Sequence, residues 1–171
     1  RHMNEYINYY DNLSEEELMH YGVVGMKWGV RRAQKTLSSK NSTDADRKLA
    51  LDRLEKHRVK ANAEVAKLQG KRPKLEERVN KKITKHETKA AELADKAAKH
   101  NRKAYGFMST KESSEKHIYK ANKLQAKADA KMADIAKAKS MLAENDAKTA
   151  LFKKGLKDID KLLVDNGRKL T

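Results

Sequence analysis

Residues 74–104 read KLEERVNKKITKHETKAAELADKAAKHNRKA, and the pattern of this stretch decides the fold. Apolar or imidazole side chains recur in it every three or four residues, at Leu75, Val79, Ile83, His86, Ala90, Leu93, Ala97, His100 and Ala104. This spacing keeps all of them on one face of an α-helix, as in helices that pack side by side. The stretch therefore predicts one long amphipathic helix with an alanine-rich seam.

A series with the same spacing precedes this helix. It begins after Asp44, has a polar position at Arg58, and has apolar positions at Leu51, Leu54, Ala61, Val65 and Leu68. Gly70 and Pro73 separate the two series. Glycine lowers helix propensity, and proline lacks a backbone donor and clashes with the preceding turn. We therefore expect a turn or a sharp kink at residues 70–73, with a separate helix on each side.

Two further series follow. Ser109-Thr110-Lys111-Glu112 has the form of a capping box and predicts the start of a third helix, with a seam at Ile118, Ala121, Leu124, Ala128, Met132, Ile135, Ala138 and Leu142. Asn145-Asp146 suits the cap of a fourth helix, with apolar positions at Leu151, Phe152, Leu156, Ile159, Leu162 and Leu163. No proline intervenes, so one continuous helix is the open alternative. Asn166-Gly167 predicts the final helix stop.

The composition agrees with an all-α fold. Of the 171 residues, 38% are hydrophobic, 5% aromatic and 37% charged, and the mean hydropathy is −0.97. This is too little large apolar surface for a compact α/β domain, whereas a narrow seam suffices for long packed helices. We expect an antiparallel, coiled-coil-like bundle of three to four long helices, with a short N-terminal helix and a motif peptide. Alanine seams bury little area per residue, so helix length and association into a homo-oligomer are the expected sources of stability.

The chain divides into four parts. Residues 1–2, Arg-His before a methionine, look like the remnant of an expression tag. Residues 3–36 are an N-terminal segment, in which Ser14 and Glu17 have capping-box spacing and predict a short helix that ends near Tyr21. Residues 37–43 are a polar linker, and residues 44–171 are the basic helical bundle.

Positive charge is in large excess. The chain has 40 Lys+Arg against 24 Asp+Glu, a formal net charge of +16 and a pI of about 9.9. Such a field attracts nucleic acid, anionic lipid or an acidic protein surface. Basic residues follow the seam of the second helix at Lys74, Arg78, Lys82, Lys85 and Lys89, and the seam of the third at Lys116, Lys120, Lys123, Lys127 and Lys131.

These two basic stripes favour an anionic partner. Like charges four residues apart destabilise a helix, so a stripe of them is more natural opposite a polyanion such as DNA. Lysine far outnumbers arginine, which favours phosphate attraction over base reading. Few aromatic residues lie among the lysines, so base stacking is not expected. A solvated helix flank is the other interpretation of the stripes.

No catalytic or cofactor motif is present. The sequence has no P-loop, dinucleotide fingerprint, nucleophile elbow or HExxH motif, and it has no cysteine. We therefore expect no enzymatic activity and no cofactor. Four histidines fall at or beside the seams without an i,i+4 pair, so we expect packed neutral imidazoles rather than a metal site or a pH switch: His57, His86, His100 and His117. No apolar run approaches the roughly 20 residues of a membrane span.

Residues 20–32, HYGVVGMKWGVRR, are the most distinctive local pattern. They hold three of the seven glycines and the only tryptophan. In an extended chain Val24, Met26, Trp28 and Val30 lie on one side. Trp and Arg carry much of the binding energy at interfaces, and a short glycine-rich peptide suits a groove on a partner. Two interpretations remain open: the segment docks on another protein, or Trp28 covers the end of the chain's own bundle.

The segment resembles a short motif, H-x-G-[IV]-x-G-M-x-W-G-[IV]-R-[RK], of tailed phages and prophages of Gram-positive bacteria. The motif recurs there in head, portal-associated and other structural proteins of unrelated kinds, as a portable tag does. Every fixed position is matched, by His20, Gly22, Val23, Gly25, Met26, Trp28, Gly29, Val30, Arg31 and Arg32. The resemblance implies a role in the virion or in its assembly, and a location in the virion or the bacterial host cytoplasm. It implies nothing about the helices.

These observations predict a phage virion-associated or head-assembly interaction protein. The motif would dock on a phage structural protein of the capsid or portal region, and the basic bundle would lie near DNA, bound without sequence preference, or near an acidic capsid surface. The expected partner-binding residues are His20, Gly22, Gly25, Met26, Trp28, Gly29, Arg31 and Arg32. The alternatives are a sequence-independent nucleic-acid-binding protein without a virion role, and a host-directed or anti-defence protein that inhibits by binding.

Overall fold

The computed structural model describes residues 24–170, and for residues 24–28 it describes the backbone alone. This part of the chain forms three helices and no strand: α1 (Val24–Ser38), α2 (Asp44–Ala104) and α3 (Lys111–Asp165). They are 15, 61 and 55 residues long. The all-α prediction is confirmed, and no helix within residues 24–170 is long and apolar enough to cross a membrane. The predicted helix ending near Tyr21 lies outside the described residues.

The predicted turn at residues 70–73 and the separate helix on each side of it are wrong, because α2 continues through Pro73, whereas the alternative of a kink within the helix stays a prediction. The two apolar series on either side stay in phase: Leu68, Arg72 and Leu75 follow one another at steps of four and three residues. Arg72 fills the intervening seam position and pairs with Asp146 at 2.7 Å. A single proline removes one backbone donor, and the apolar positions stay in phase on both sides of it.

The third and fourth predicted helices are one helix. α3 runs through Asn145 and Asp146, so the continuous alternative is correct. Asp146 does not cap a helix there, since its two carboxylate oxygens accept hydrogen bonds from Arg72 Nε and Nη2 at 2.7 and 3.1 Å. Asp146 therefore contributes to the packing of two helices rather than to the start of one.

The helix ends are fixed by local hydrogen bonds. At the start of α2, Thr43 N donates to Asp46 Oδ2 and Asp46 N donates to Thr43 Oγ1, each at 3.1 Å, which is a reciprocal capping box. The bonds from Thr43 lower the pKa of the Asp46 carboxyl. Thr110 Oγ1 caps α3 by accepting from Ser113 N at 3.2 Å. After α3, Gly167 has φ +80° and Arg168 N donates to Leu163 O, as in a Schellman motif.

The helices build two compact units. Of the described residues, unit 1 comprises 24–72 and 144–170, and unit 2 comprises Pro73–Ala143. In unit 1, α1 and the adjoining parts of α2 and α3 enclose one apolar core, in which Leu54, Ile159 and Leu163 are fully buried. Cross-helix ion pairs border this core, from Arg58 to Asp160 at 2.7 Å and from Arg168 to Asp52 and Glu55 at 2.9 and 3.0 Å.

Unit 2 is an antiparallel pair of helices with an alanine-lined seam. Its register is fixed near the connecting loop, where Ser114 Oγ donates to Ala104 O at 2.6 Å and His100 Nδ1 lies 3.0 Å from His117 Nδ1. Counting back along both helices sets small residues opposite each other, Ala97 at the level of Ala121 and Ala90 at that of Ala128, all buried. Small side chains let the two backbones approach closely.

One predicted seam residue of α3 is wrong. Met132 is 54% exposed, and the neighbouring Lys131 is partly buried. Lys131 lies three residues after Ala128 and four before Ile135. The heptad spacing therefore places the lysine, rather than Met132, at the seam position between them. A lysine tolerates this position because its aliphatic stem packs while its ammonium reaches solvent. Lys131 Nζ lies 3.8 Å from Asp134 Oδ2.

The continuity of α2 predicts that removing its helix-breaking residues stabilises the protein. Pro73→Ala restores a backbone donor inside a helix and should raise the free energy of unfolding by up to about 3 kcal/mol. Gly70→Ala should raise it by about 1 kcal/mol, because a Cβ there meets nothing within 4 Å. Urea unfolding monitored by circular dichroism measures both changes.

Gly167→Ala is the matched control. Its positive φ makes any side chain strained, so this substitution should lower stability by roughly 1 kcal/mol. A Pro73→Ala protein that is no more stable than wild type would indicate that the helix is broken at residues 70–73.

Candidate functional site

Residues 24–32 of the motif at residues 20–32 belong to α1, which packs in unit 1. Ala33 is buried, and Val30 and Leu37 pack against the same core. The prediction of an extended, freely fitting peptide is therefore wrong for residues 24–32, which are helical. Their apolar positions 30, 33 and 37 keep a helical period, and burial of that face outweighs the low helix propensity of the glycines. His20 and Gly22 lie outside the described residues.

α1 and α2 approach each other closely at Gly29. A Cβ built on Gly29 would lie 2.5 Å from His57 Nε2 and 2.9 Å from His57 Cδ2. No real side chain tolerates such a contact without movement of the imidazole. Burial, and then the charge of Lys60, lower the pKa of His57, so a neutral ring covers the glycine. Gly29 therefore serves close packing within this chain, and the partner-binding role expected for it is not needed to explain its presence.

The helical register divides the motif into two faces. Positions 30, 33 and 37 lie on the core side. Positions 28, 31, 32 and 35 fall within about one third of a turn of each other on the opposite side, at 100° per residue. Arg31 and Arg32 are exposed there. For Gly25, Met26 and Trp28 the structure describes only the backbone, so their predicted contacts lie outside what it describes.

Both predicted basic stripes belong to unit 2. Nine of their ten members are exposed, and the tenth, Lys131, is the partly buried residue described above. The stripe of α2 occupies the position that precedes each seam residue, as Lys82 precedes Ile83 and Lys89 precedes Ala90. The stripe of α3 does the same, as Lys120 precedes Ala121. In α2 this series extends to Lys96, Lys99 and Lys103, and in α3 to Lys137.

The two stripes lie on the same side of unit 2. In an antiparallel pair of right-handed helices, the residue before each seam residue points to the same side of the seam on both helices. His100 supports this arrangement, because Lys103 of α2 and Lys120 of α3 both act on its pKa. Lys131 of α3 likewise borders one surface groove together with Lys85 and Lys89 of α2. We call this combined surface the basic flank; it comprises Lys74, Arg78, Lys82, Lys85, Lys89, Lys96, Lys99, Lys103, Lys116, Lys120, Lys123, Lys127 and Lys137.

The opposite side of unit 2 has the reverse charge. The residues that follow each seam residue include Glu76, Glu87, Glu115 and Asp129, with Lys139 as the cation among them. On the basic flank, the acidic residues among the corresponding positions of residues 73–143 are Glu92 and Asp134, and Ala130 and Met141 are uncharged. Charge is therefore segregated across the helical pair.

Most cations of the basic flank are not neutralised by ion pairs. In unit 2 the ion pairs of lysines join Lys81 to Glu77, Lys89 to Glu92, Lys99 to Asp95 and Lys131 to Asp134. Within the described part of the chain, Lys116, Lys120, Lys123 and Lys127 have no carboxylate oxygen within 4.0 Å of their ammonium groups. The mutual repulsion of these lysines is therefore relieved by solvent and salt, or by a bound polyanion.

Two polar layers interrupt the seam of unit 2. His86 Nδ1 lies 3.9 Å from Asp134 Oδ2 at the level of Lys131. The second layer is the His100–His117 pair, with ring centroids 5.2 Å apart. Within residues 24–170 no three His, Cys, Asp or Glu side chains come together as metal ligands.

The His100–His117 contact requires at least one uncharged ring. Burial, and then the charges of His117, Lys120 and Lys103, lower the pKa of His100 from 6.5. In a neutral pair one Nδ1–H donates to the other Nδ1, whereas two imidazolium rings would oppose two donors at 3.0 Å. Because the pKa of His100 is lower in the folded chain, the unfolded chain binds a proton at His100 at a higher pH than the folded chain does. The pair therefore makes its full contribution to the free energy of unfolding above the ordinary pKa of histidine. This contribution is lost as the pH falls below that pKa.

Comparison with known proteins adds one match. Residues 11–35 match the model of a family of unknown function, DUF7211. This range covers the whole motif and all but the last three residues of α1. No curated protein matches the chain, and no solved structure does.

Sequence patterns located the lysines but not their arrangement. The spacing of the lysines within each stripe can be read from the sequence. That the two stripes lie on the same side of unit 2 follows only once the helices are known to be antiparallel. The packing role of Gly29 had no signal in the sequence, because the partner His57 lies 28 positions away in another helix.

The Gly29–His57 contact predicts a conditional loss of stability. Gly29→Ala should gain up to about 1 kcal/mol of helix propensity, yet overpacking typically costs 1–3 kcal/mol, so we expect a net loss of about 1 kcal/mol. In a His57→Ala background the ring is absent, and the same Gly29→Ala change should become stabilising. Urea unfolding of the four proteins of this double-mutant cycle measures the coupling. Additive effects of the two substitutions would show that α1 does not approach α2 at Gly29.

Proposed function

We propose that this chain is a non-enzymatic interaction protein of phage particles, which binds DNA without sequence preference through the basic flank of unit 2. The segregation of charge across the helical pair is the observation that supports it best. A field of this kind attracts phosphates along a duplex, and lysine ammonium groups contact phosphates without reading bases. The resemblance of residues 20–32 to a motif of phage structural proteins supports the virion or assembly role and a location in the particle or the host cytoplasm.

The partner-binding half of the proposal rests on the outer face of α1. Positions 28, 31, 32 and 35 carry a tryptophan, two arginines and a lysine. Tryptophan and arginine dominate binding energy at many interfaces. We propose that this face docks on a structural protein of the capsid or portal region, while Gly29, Val30 and Ala33 hold the helix on unit 1. A host-directed protein that inhibits by binding would use the same face.

The DNA-binding half predicts a charge-specific loss of affinity. Reversal of Lys120, Lys123 and Lys127 to Glu should weaken binding to every duplex alike and should reduce the slope of log K against log salt by about 2–3. The control reverses the exposed Lys153, Lys157 and Lys161 of unit 1, which gives the same net charge. Gel shifts at several salt concentrations measure both proteins. Equal losses in the two triple variants would mean that net charge alone, and not the basic flank, drives binding.

The docking half predicts a large effect of one side chain. Trp28→Ala should abolish incorporation into particles, because truncation of a tryptophan anchor costs on the order of 2–4 kcal/mol, whereas Lys27→Ala should change incorporation little. Mass spectrometry of purified particles measures incorporation. Thermal melting is the control for folding. A lower melting temperature of Trp28→Ala with incorporation intact would identify Trp28 as part of the chain's own packing and would refute docking.

A further inference from the structure

The turn between α2 and α3 exposes a cluster of large apolar side chains. Phe107 is fully exposed, Met108 is 90% exposed, and Tyr105 and Tyr119 are 79% and 66% exposed. We call these four residues the apolar tip. They lie at the closed end of unit 2, and no other described residue covers them. Exposed apolar residues gathered in one place mark interaction surfaces more often than single ones do.

The exposure of the apolar tip is built into the turn. Ser109 N donates to Gly106 O at 3.0 Å, and Ser114 Oγ donates to Ala104 O at 2.6 Å and lies 2.8 Å from Ser109 Oγ. The polar side chains thus satisfy the backbone inside the turn. Phe107 and Met108 are left on its outer side.

Cations flank the apolar tip. Tyr105, Phe107 and Met108 lie in the turn itself, and Tyr119 lies on α3 about two helical turns behind it. Arg102, Lys103 and Lys111 lie within about one helical turn of the loop, together with Glu112 and Glu115. Exposed apolar side chains with cations beside them suit an anionic bilayer, whose hydrocarbon receives the former and whose headgroup phosphates attract the latter.

We propose that the apolar tip inserts into the surface of an anionic lipid bilayer. A convex tip has no groove to receive a peptide, whereas a lipid surface closes around a protruding side chain. Stacking on nucleic-acid bases fits less well, because Tyr105 follows the seam residue Ala104 and so lies on the side opposite the basic flank. The proposal is independent of DNA binding, since it uses the turn rather than the length of the helical pair.

Co-sedimentation with lipid vesicles tests the proposal. The wild-type protein should bind vesicles of phosphatidylcholine with about one third phosphatidylglycerol at least tenfold tighter than vesicles of phosphatidylcholine alone. Phe107→Ser with Met108→Ser should weaken binding to the anionic vesicles by about tenfold or more, because two apolar side chains no longer leave water. The matched control is Val59→Ser with Val164→Ser, which removes two exposed apolar side chains of unit 1 and should bind as wild type does.

Fluorescence locates the tip directly. In a Trp28→Phe background, Phe107→Trp should shift its emission to the blue on anionic vesicles and should be quenched by brominated lipid chains. Three results would overturn the proposal: no binding of the wild-type protein to vesicles, equal binding of the tip variant, which would leave lysine charge as the sole cause, or a change from dimer to monomer in the tip variant without vesicles, which would make the tip a contact between two copies of this chain.

Discussion

The close approach of two helices along an alanine-lined seam is the contact on which the arrangement of unit 2 depends. Alanine buries little surface per residue, so the pair is held by many small contacts in one register. That register is set where Ser114 reaches the Ala104 carbonyl and His100 meets His117. Every other property of the unit follows from it: which lysine is half-buried, which flank is basic and which residues form the turn. A shift by one position would move the lysines of both stripes relative to the seam.

Periodicity predicted the structure better than residue propensity did. The seam positions of α2 were readable because they repeat over many turns, and the predicted break at Gly70 and Pro73 failed because one proline cannot outweigh an apolar phase that continues through it. The same reasoning explains Met132 and Lys131. Hydropathy favoured the methionine, whereas the phase between Ala128 and Ile135 selects the lysine. In long helices of this kind, spacing decides which side chain faces the partner.

The candidate site was only partly predictable, for a different reason. The spacing of each basic stripe is a local property of the chain, but their union on one side requires the direction of both helices. The motif at residues 20–32 was hard to interpret because glycine has two different structural uses. Its glycines suggested a flexible peptide, whereas Gly29 lies against His57 because a helix must pass close to a ring. Glycine permits both flexibility and close packing, and sequence alone does not say which of the two a position uses.

The seven-residue repeat of the seam affects how such a protein can change in evolution. The layers of unit 2 repeat every seven residues, which corresponds to about 10 Å along the helix axis. Loss or gain of seven residues in α2 together with seven at the same level of α3 would leave the turn, the caps and the charge of each flank in place. A change in one helix alone would break the register. Length can therefore vary in matched steps, and the span between the ends of the pair can be selected independently of what each end contacts.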